Sequence, residues 1–199
     1  MQKAQPAINM EATDSQSAGL ESASEWVQRW SHLVLPQAAV LDVACGRGRH
    51  LHWFQRLGHP VTGIDRNPEA VQAAATLGEA IAADLENAPW PLPGRLFGAV
   101  VVTNYLWRPL LPTLVQSLDP GGVLLYETFA SGNETVGRPA RADFLLQPGE
   151  LLAACASLQV VAYENGFLDR PARFVQRIAA VRVPPSGVSP ARHPLHTHS

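Results

Sequence analysis

The residues best suited to chemistry lie close together: Asp42, the glycine pair Gly46 and Gly48, and Asp65. A glycine has no Cβ, so two of them in Ala44-Cys45-Gly46-Arg47-Gly48 let the backbone turn sharply and let a ligand reach the main chain. A carboxylate at the end of a strand, as Asp65 is placed, can accept hydrogen bonds from ribose hydroxyls. The elements that hold these groups can be read around them. Residues 38–43 form an apolar, β-branched run that predicts a buried strand. Arg49–Leu57 continues as a helix, and Pro60–Ile64 makes a second strand ending in Asp65. Strand, glycine turn, helix, strand and acid compose a βαβ unit, which binds a nucleoside-containing cofactor at the carboxyl ends of its strands. A bare turn without a ligand is the plain alternative, because a lone glycine motif is a weak signal.

The wording of the unit is more specific than its outline. Leu41-Asp42-Val43-Ala44-Cys45-Gly46-Arg47-Gly48-Arg49 resembles the first motif of class I S-adenosylmethionine-dependent methyltransferases, and Gly63-Ile64-Asp65 resembles their second. Ala44 departs from the pattern, since the family often has Gly there. Asp119-Pro120-Gly121-Gly122 and the strand after it also resemble a turn common in that class. The resemblance covers residues 38–130 by motif and the remainder by topology. The compact chain is similar to small-molecule members of the tellurite-resistance type. This implies an α/β fold, a Rossmann-like three-layer sandwich whose seven-stranded sheet is mostly parallel with its last strand antiparallel. It also implies S-adenosylmethionine as cofactor and a methyltransferase activity.

The same resemblance implies roles. Asp42 would orient the glycine turn and the methionine end of the cofactor, and Ala44, Cys45 and Gly46 would line it through backbone atoms. Gly48 gives room at the helix start, and Arg49 would face the methionine carboxylate near the positive helix end. Asp65 would take the ribose, with Arg66 beside the adenine and Asp84 and Leu85 on the base. Asn104 and Tyr105 would stand near the methyl group. Methyl transfer from a sulfonium is an in-line displacement that asks mainly for orientation, worth roughly 7–11 kcal/mol. The absence of a triad or paired acid and base is therefore no objection. On the acceptor side Tyr105, Arg108, Arg138 and Arg141 are candidates, the arginines as a rim for an anion, since guanidinium grips oxyanions bidentately. Scattered surface ion pairs are the competing reading of those arginines.

Composition reads as soluble and globular. A chain of 199 residues suits one domain. It is 46% hydrophobic with net charge −2, and its pI of about 6.4 argues against a protein that grips nucleic acid through phosphate charge. No segment has the length of a membrane span, and the N-terminus lacks an apolar leader core. Cys45 and Cys155 do not make a disulfide framework, which points to reduced thiols and the cytoplasm. The expected partner is a small-molecule substrate, with no nucleic acid and no membrane, and the oligomeric state stays open. Asn104-Tyr105-Leu106 is also not the Asn-Pro-Pro-Tyr of enzymes that methylate base amines.

Taken in order, residues 1–20 read as a disordered arm, 21–183 as the methyltransferase domain and 184–199, with four prolines, as a disordered tail. Ser22 or Ser24 caps a helix to about Val34, in which Trp26 and Trp30 either pack on the sheet or form a lid. Asn67-Pro68-Glu69 starts a helix that runs to about Leu77. Strands follow at 80–83, 97–103 and 123–128, with a Pro-rich loop at 87–95 and a helix at 110–118 between them. A helix at 148–156 begins near Pro148, and extended runs at 159–164 and 173–183 pair antiparallel at the sheet edge. Cys45 reads as a small packing residue, and no metal site is expected, because His50 and His52 point apart on a helix. Two rivals to the enzyme remain: a catalytically silent S-adenosylmethionine-binding protein, and a nicotinamide-dependent oxidoreductase. Leu51 at the third glycine position of Gly-x-Gly-x-x-Gly opposes the second, as does the lack of a Tyr-x-x-x-Lys pair.

Overall fold

Phe97–Thr103 carries no charged side chain and is buried along its whole length, so it must lie where both faces of a sheet are covered. In the structure, a computed structural model that describes residues 21–184 and 192–195, it is the central strand β4. Three strands precede it, β1 (Val40–Val43), β2 (Val61–Asp65) and β3 (Glu79–Ala82), and three follow, β5 (Leu118–Phe129), β6 (Gln159–Asp169) and β7 (Ala172–Val181). Their order across the sheet is β3-β2-β1-β4-β5-β7-β6. The first five strands pair in parallel, and β7 alone runs antiparallel, between β5 and β6. The strand order reverses between β1 and β4, the place where doubly wound sheets open a crevice at their carboxyl edge.

Alternation along β4 assigns the layers. Ala99 and Val101 face one core, which holds Trp26, Val27 and Trp30 of α1 (Glu25–Trp30), Leu51 and Phe54 of α2 (Arg49–Arg56), and Ala74 of α3 (Pro68–Ala74). Val100 and Val102 face the other, which holds Leu114 of α4 (Leu111–Gln116) and Leu151 of α5 (Glu150–Ala154). Trp26 and Trp30 are thus core residues. Trp26 donates its indole N–H to the Ile178 carbonyl at 3.2 Å, so α1 is fastened to the sheet rather than laid over the strand ends. The connection between β3 and β4 has no helix. Its Pro-rich loop instead buries Leu92 against the second core.

Several elements differ from the sequence reading. Helix α1 stops at Trp30, and Ser31–Leu33 tighten into a 3₁₀ turn in which Ser31 Oγ donates back to the Gln28 carbonyl. Helix α3 stops at Ala74, because the amides of Thr76 and Leu77 bond to carbonyls three residues back. Leu118 belongs to β5, not to the helix before it: it pairs with Phe97, the next residues bulge, and pairing resumes at Ala99 with Val123. Pro148 precedes α5 rather than entering its first turn, since Gly149 in left-handed conformation is the cap. The β6–β7 hairpin runs on to Asp169 and Ala172. Most of the arm and tail expected at 1–20 and 184–199 lies outside the described residues. Among these, no helix is long and apolar enough to cross a membrane.

One packing contact explains why α2 can lie so near the sheet. A Cβ on Gly63 would stand 2.7 Å from Leu51 Cδ1 and 2.8 Å from Cys45 Sγ. The glycine that permits close helix–strand approach therefore sits on β2, and Leu51 fills the space it leaves. Gly63→Ala is expected to lower stability by about 1–3 kcal/mol through overpacking. Gly166→Ala, where an added methyl meets open space, should stay within about 0.5 kcal/mol. Urea unfolding midpoints compare the two, and equal midpoints would remove the packing argument.

Candidate functional site

Five parallel strands end at one edge of the sheet, and a cavity of about 360 Å³ opens there. Ala44 after β1, Asp65 and Arg66 at the end of β2, and Ala83 to Glu86 after β3 form one side. Asn104, Tyr105 and Leu106 after β4 and Thr128 and Phe129 at the end of β5 form the other. Pro139 and Phe144 close it from the segment between β5 and α5. A volume in the range of 300–1,000 Å³ suits a small-molecule or cofactor site.

The turn after β1 is wound through three residues of positive φ: Ala44 at +55°, Gly46 at +54° and Gly48 at +89°. For Ala44 this conformation costs roughly 1–2 kcal/mol, the kind of strain that gathers at functional sites. The Asp65 carboxylate holds the turn. One oxygen accepts the Gly46 amide at 2.8 Å and the other accepts the Asn67 amide at 2.8 Å. An ionised carboxylate offers about four lone-pair positions, so acceptor capacity remains on both oxygens. The space above Gly46 is open, with no atom near the Cβ position it lacks.

Asp84 takes hydrogen bonds from the Asn87 side chain at 2.9 Å and the Glu86 amide at 3.1 Å, which hold its carboxyl below the usual carboxylate range. Tyr105 presents a buried hydroxyl with no hydrogen-bond partner among the described residues. Burial foremost, then the charges of Glu86 and Asp84, pushes it up to about 12. At neutral pH it is therefore a donor, not a base. Cys45 turns its sulfur against Gly63, and burial with the nearby Asp42 and Asp65 raises the thiol far above its ordinary range. It stays a protonated packing residue whose backbone shapes the turn.

Not every expected residue reaches the cavity wall. Ala44, Asp65, Arg66, Asp84, Leu85, Asn104 and Tyr105 do. Asp42 is buried behind the turn, with its Oδ2 3.5 Å from His50 Nδ1. His50 Nε2 accepts the Ser24 amide at 3.3 Å, which leaves the ring proton on Nδ1, toward Asp42. Arg49 spans from Thr103 Oγ1 to Glu21, at 3.4 Å each. It lies beside the end of β4 on the α1 and α2 face.

Two of the three candidate rim arginines are engaged by their own neighbours. Arg108 gives its guanidinium to Glu150 at 2.6 and 3.0 Å, to the Asp143 carbonyl at 2.7 Å and to the Leu145 carbonyl at 2.9 Å. It clamps the segment that carries Phe144 and has no free edge for an anion. Arg141 pairs with Asp143 at 2.8 Å and lies over the Phe144 ring. Arg138 is exposed beside Pro139. No cluster of three metal-ligating side chains occurs among the described residues.

The sequence reading missed Ala83, Glu86, Leu106, Thr128, Phe129, Pro139 and Phe144. The position of Phe129 at the end of a parallel strand was a usable signal. Pro139 and Phe144 arrive by a long return of the chain that leaves no local mark.

Known proteins match this arrangement. Residues 40–122 fit the family described as a methyltransferase domain. TehB from Haemophilus influenzae is 19% identical, with a TM-score of 0.61 over 76% of this chain and 60% of that one. A S-adenosylmethionine-dependent methyltransferase from Methanosarcina mazei is 17% identical, with a TM-score of 0.60 over 82% of this chain and 100% of its own. The glycopeptide N-methyltransferase MtfA, in complex with S-adenosylhomocysteine, is 17% identical, with a TM-score of 0.55 over 76% of this chain and 86% of its own. This chain thus spans less than two thirds of the TehB chain. No protein of the curated collection matches it in sequence. Residues 40–122 thus match a methyltransferase-domain family, and the fold is shared with these solved methyltransferases.

The Arg108 clamp generates a test of its own. Burial alone would raise the Glu150 carboxyl, but the Arg108 hydrogen bonds and the Gln147 amide together hold it below its ordinary value. A depressed carboxyl contributes stability above its unfolded pKa of about 4.3, lost as pH falls through the lower folded value. Arg108→Ala should cost about 1–3 kcal/mol by stranding these partners. It should also speed amide exchange over residues 139–147 and flatten the acid limb of the stability curve near pH 4. Unchanged exchange in that segment would contradict the clamp.

Proposed function

We propose that this S-adenosylmethionine-dependent methyltransferase passes the methyl group of its cofactor to a small-molecule acceptor at the carboxyl edge of the sheet. The observation that supports the reading is the Asp65 carboxylate, which ties the left-handed turn after β1 to the end of β2, lines the cavity and keeps acceptor capacity on both oxygens. That capacity suits the ribose hydroxyls. Arg66, Asp84 and Leu85 lie next along the wall, where the adenine fits, with the Asp84 carboxylate as an acceptor for its exocyclic amine. Ala44 and the open face of Gly46 leave the backbone bare for the methionine portion. Arg49 stands at the α2 N-terminus for its carboxylate, and Gly48 permits the helix to start there. Asp42 lies buried behind the turn, 3.5 Å from His50.

Asn104 and Tyr105 then border the methyl-facing side. Asn104 holds a φ of +55°, which Asn tolerates better than most residues, and its amide donates to the Glu127 carbonyl at 2.9 Å. When bound there, the cofactor would supply an electrophilic methyl carbon on a cationic sulfur, and the acceptor would supply the attacking lone pair and release its proton to water. The chain's contribution is orientation and exclusion of water, the part of the barrier that fixed geometry can remove. Tyr105, protonated throughout the neutral range, donates a hydrogen bond and takes no proton.

The reading is tested by ligand-dependent unfolding. S-adenosylhomocysteine at about 100 times its dissociation constant should stabilise the protein by roughly 2.7 kcal/mol, and NADH should not. Asp65→Ala should weaken S-adenosylhomocysteine by roughly 1.5–3 kcal/mol in calorimetry, and Asp65→Asn by less. Native affinity in a folded Asp65→Ala protein would place the ribose elsewhere.

A further inference from the structure

The cavity is sorted by charge. Its charged wall residues, Asp65, Arg66, Asp84 and Glu86, lie at the end of β2 or just after β2 and β3. The half formed by the ends of β4 and β5 and the returning segment has none. It is walled by Leu106, Phe129, Pro139 and Phe144, with Asn104 and Thr128 as its polar residues, and the Tyr105 hydroxyl, which feels the charges of Glu86 and Asp84, stands at the border of the two halves. Taking a charge out of water into such a space without a counter-charge is costly. Of the three arginines that might have supplied one, Arg108 is engaged with Glu150 and Arg141 with Asp143, while Arg138 is exposed beside Pro139 and does not line the cavity.

Aromatic side chains bury large flat areas and favour ring partners in offset or edge-on packing. Phe129 closes the end of β5, and Phe144 is held in place from both sides. Arg108 binds the carbonyls of its neighbours Asp143 and Leu145, and the Leu146 amide donates to the Phe129 carbonyl at 3.0 Å. The two rings therefore stand on connected backbone. The buried Tyr105 hydroxyl has no partner among the described residues, a condition that a bound polar atom would relieve.

We propose that this half of the cavity receives an uncharged small molecule bearing an aromatic ring, packed against Phe129 and Phe144 and hydrogen-bonded by Tyr105. The inference deepens the methyltransferase reading and rests on it, because it takes the charged half to be filled by the cofactor. It stands as an alternative to the anionic acceptor that the arginines suggested.

The matched probes p-cresol and 4-hydroxybenzoate, which differ by a carboxylate, decide the matter on protein saturated with S-adenosylhomocysteine. Ligand-observed NMR titration should show p-cresol binding at least about tenfold tighter than 4-hydroxybenzoate. Phe144→Ala, a change at a partly exposed loop position, should weaken p-cresol by about fivefold or more and leave S-adenosylhomocysteine affinity unchanged. Tyr105→Phe should weaken p-cresol by a smaller factor. Equal or tighter binding of 4-hydroxybenzoate, no p-cresol binding to the loaded protein, or indifference to Phe144→Ala would each overturn the inference. Failure of S-adenosylhomocysteine itself to bind would instead overturn the cofactor assignment, and the acceptor inference with it.

Discussion

One carboxylate ties the site together. Asp65 reaches from the end of β2 to the Gly46 amide and, through its second oxygen, to the Asn67 amide that opens α3. The turn it holds is not one that a chain adopts freely, since Ala44 is left-handed without being a glycine. An acidic acceptor under the turn offsets that strain with hydrogen bonds to a charged group, each worth about 1.5–3 kcal/mol. Ala44 then lines the cavity, and Asn67 accepts the Glu69 amide with its own side chain to cap α3. Turn, strand end and helix start are fixed relative to one another by a single side chain.

That arrangement needs α2 close to the sheet, and here the fold departs from the dinucleotide pattern in an instructive way. The close approach is granted by Gly63 on β2, whose missing Cβ is replaced by Leu51 and the Cys45 sulfur. The same contact explains why Leu51 stands where a dinucleotide fold has its third glycine, and why the Cys45 thiol is inert. Beneath it the buried Asp42 and His50 face one another, and the Ser24 amide joins α1 to the back of the turn. Support for the site thus comes from both the sheet and the first helix.

Features carried by neighbours in sequence were legible before the fold was seen. The strand Phe97–Thr103 declares itself by an apolar run, and Asp65, Asp84, Leu85, Asn104 and Tyr105 by following such runs. Features that depend on distant partners were not. Arg108 looks like a free cation until Glu150, 42 residues away, is found beside it. Phe144 looks like a loop residue until the Leu146 amide meets the Phe129 carbonyl and draws it to the cavity. The helix ends and the start of β5 were misplaced for a related reason. Short 3₁₀ turns and the bulge at Asp119–Gly122 are settled by pairing with Phe97 and Arg182, not by the local composition.

The central claim, that the carboxyl ends of β1 to β4 hold the cofactor across the Asp65 bridge, is tested most directly by titrating S-adenosylhomocysteine into isotope-labelled protein and following its backbone amides. The account predicts saturable shifts at Gly46, Arg66, Asn67, Leu85 and Asn104, with the amides of the β6–β7 hairpin beyond Glu164 unmoved. Saturation that shifts other amides and leaves those around Gly46 and Asp65 where they were would contradict it.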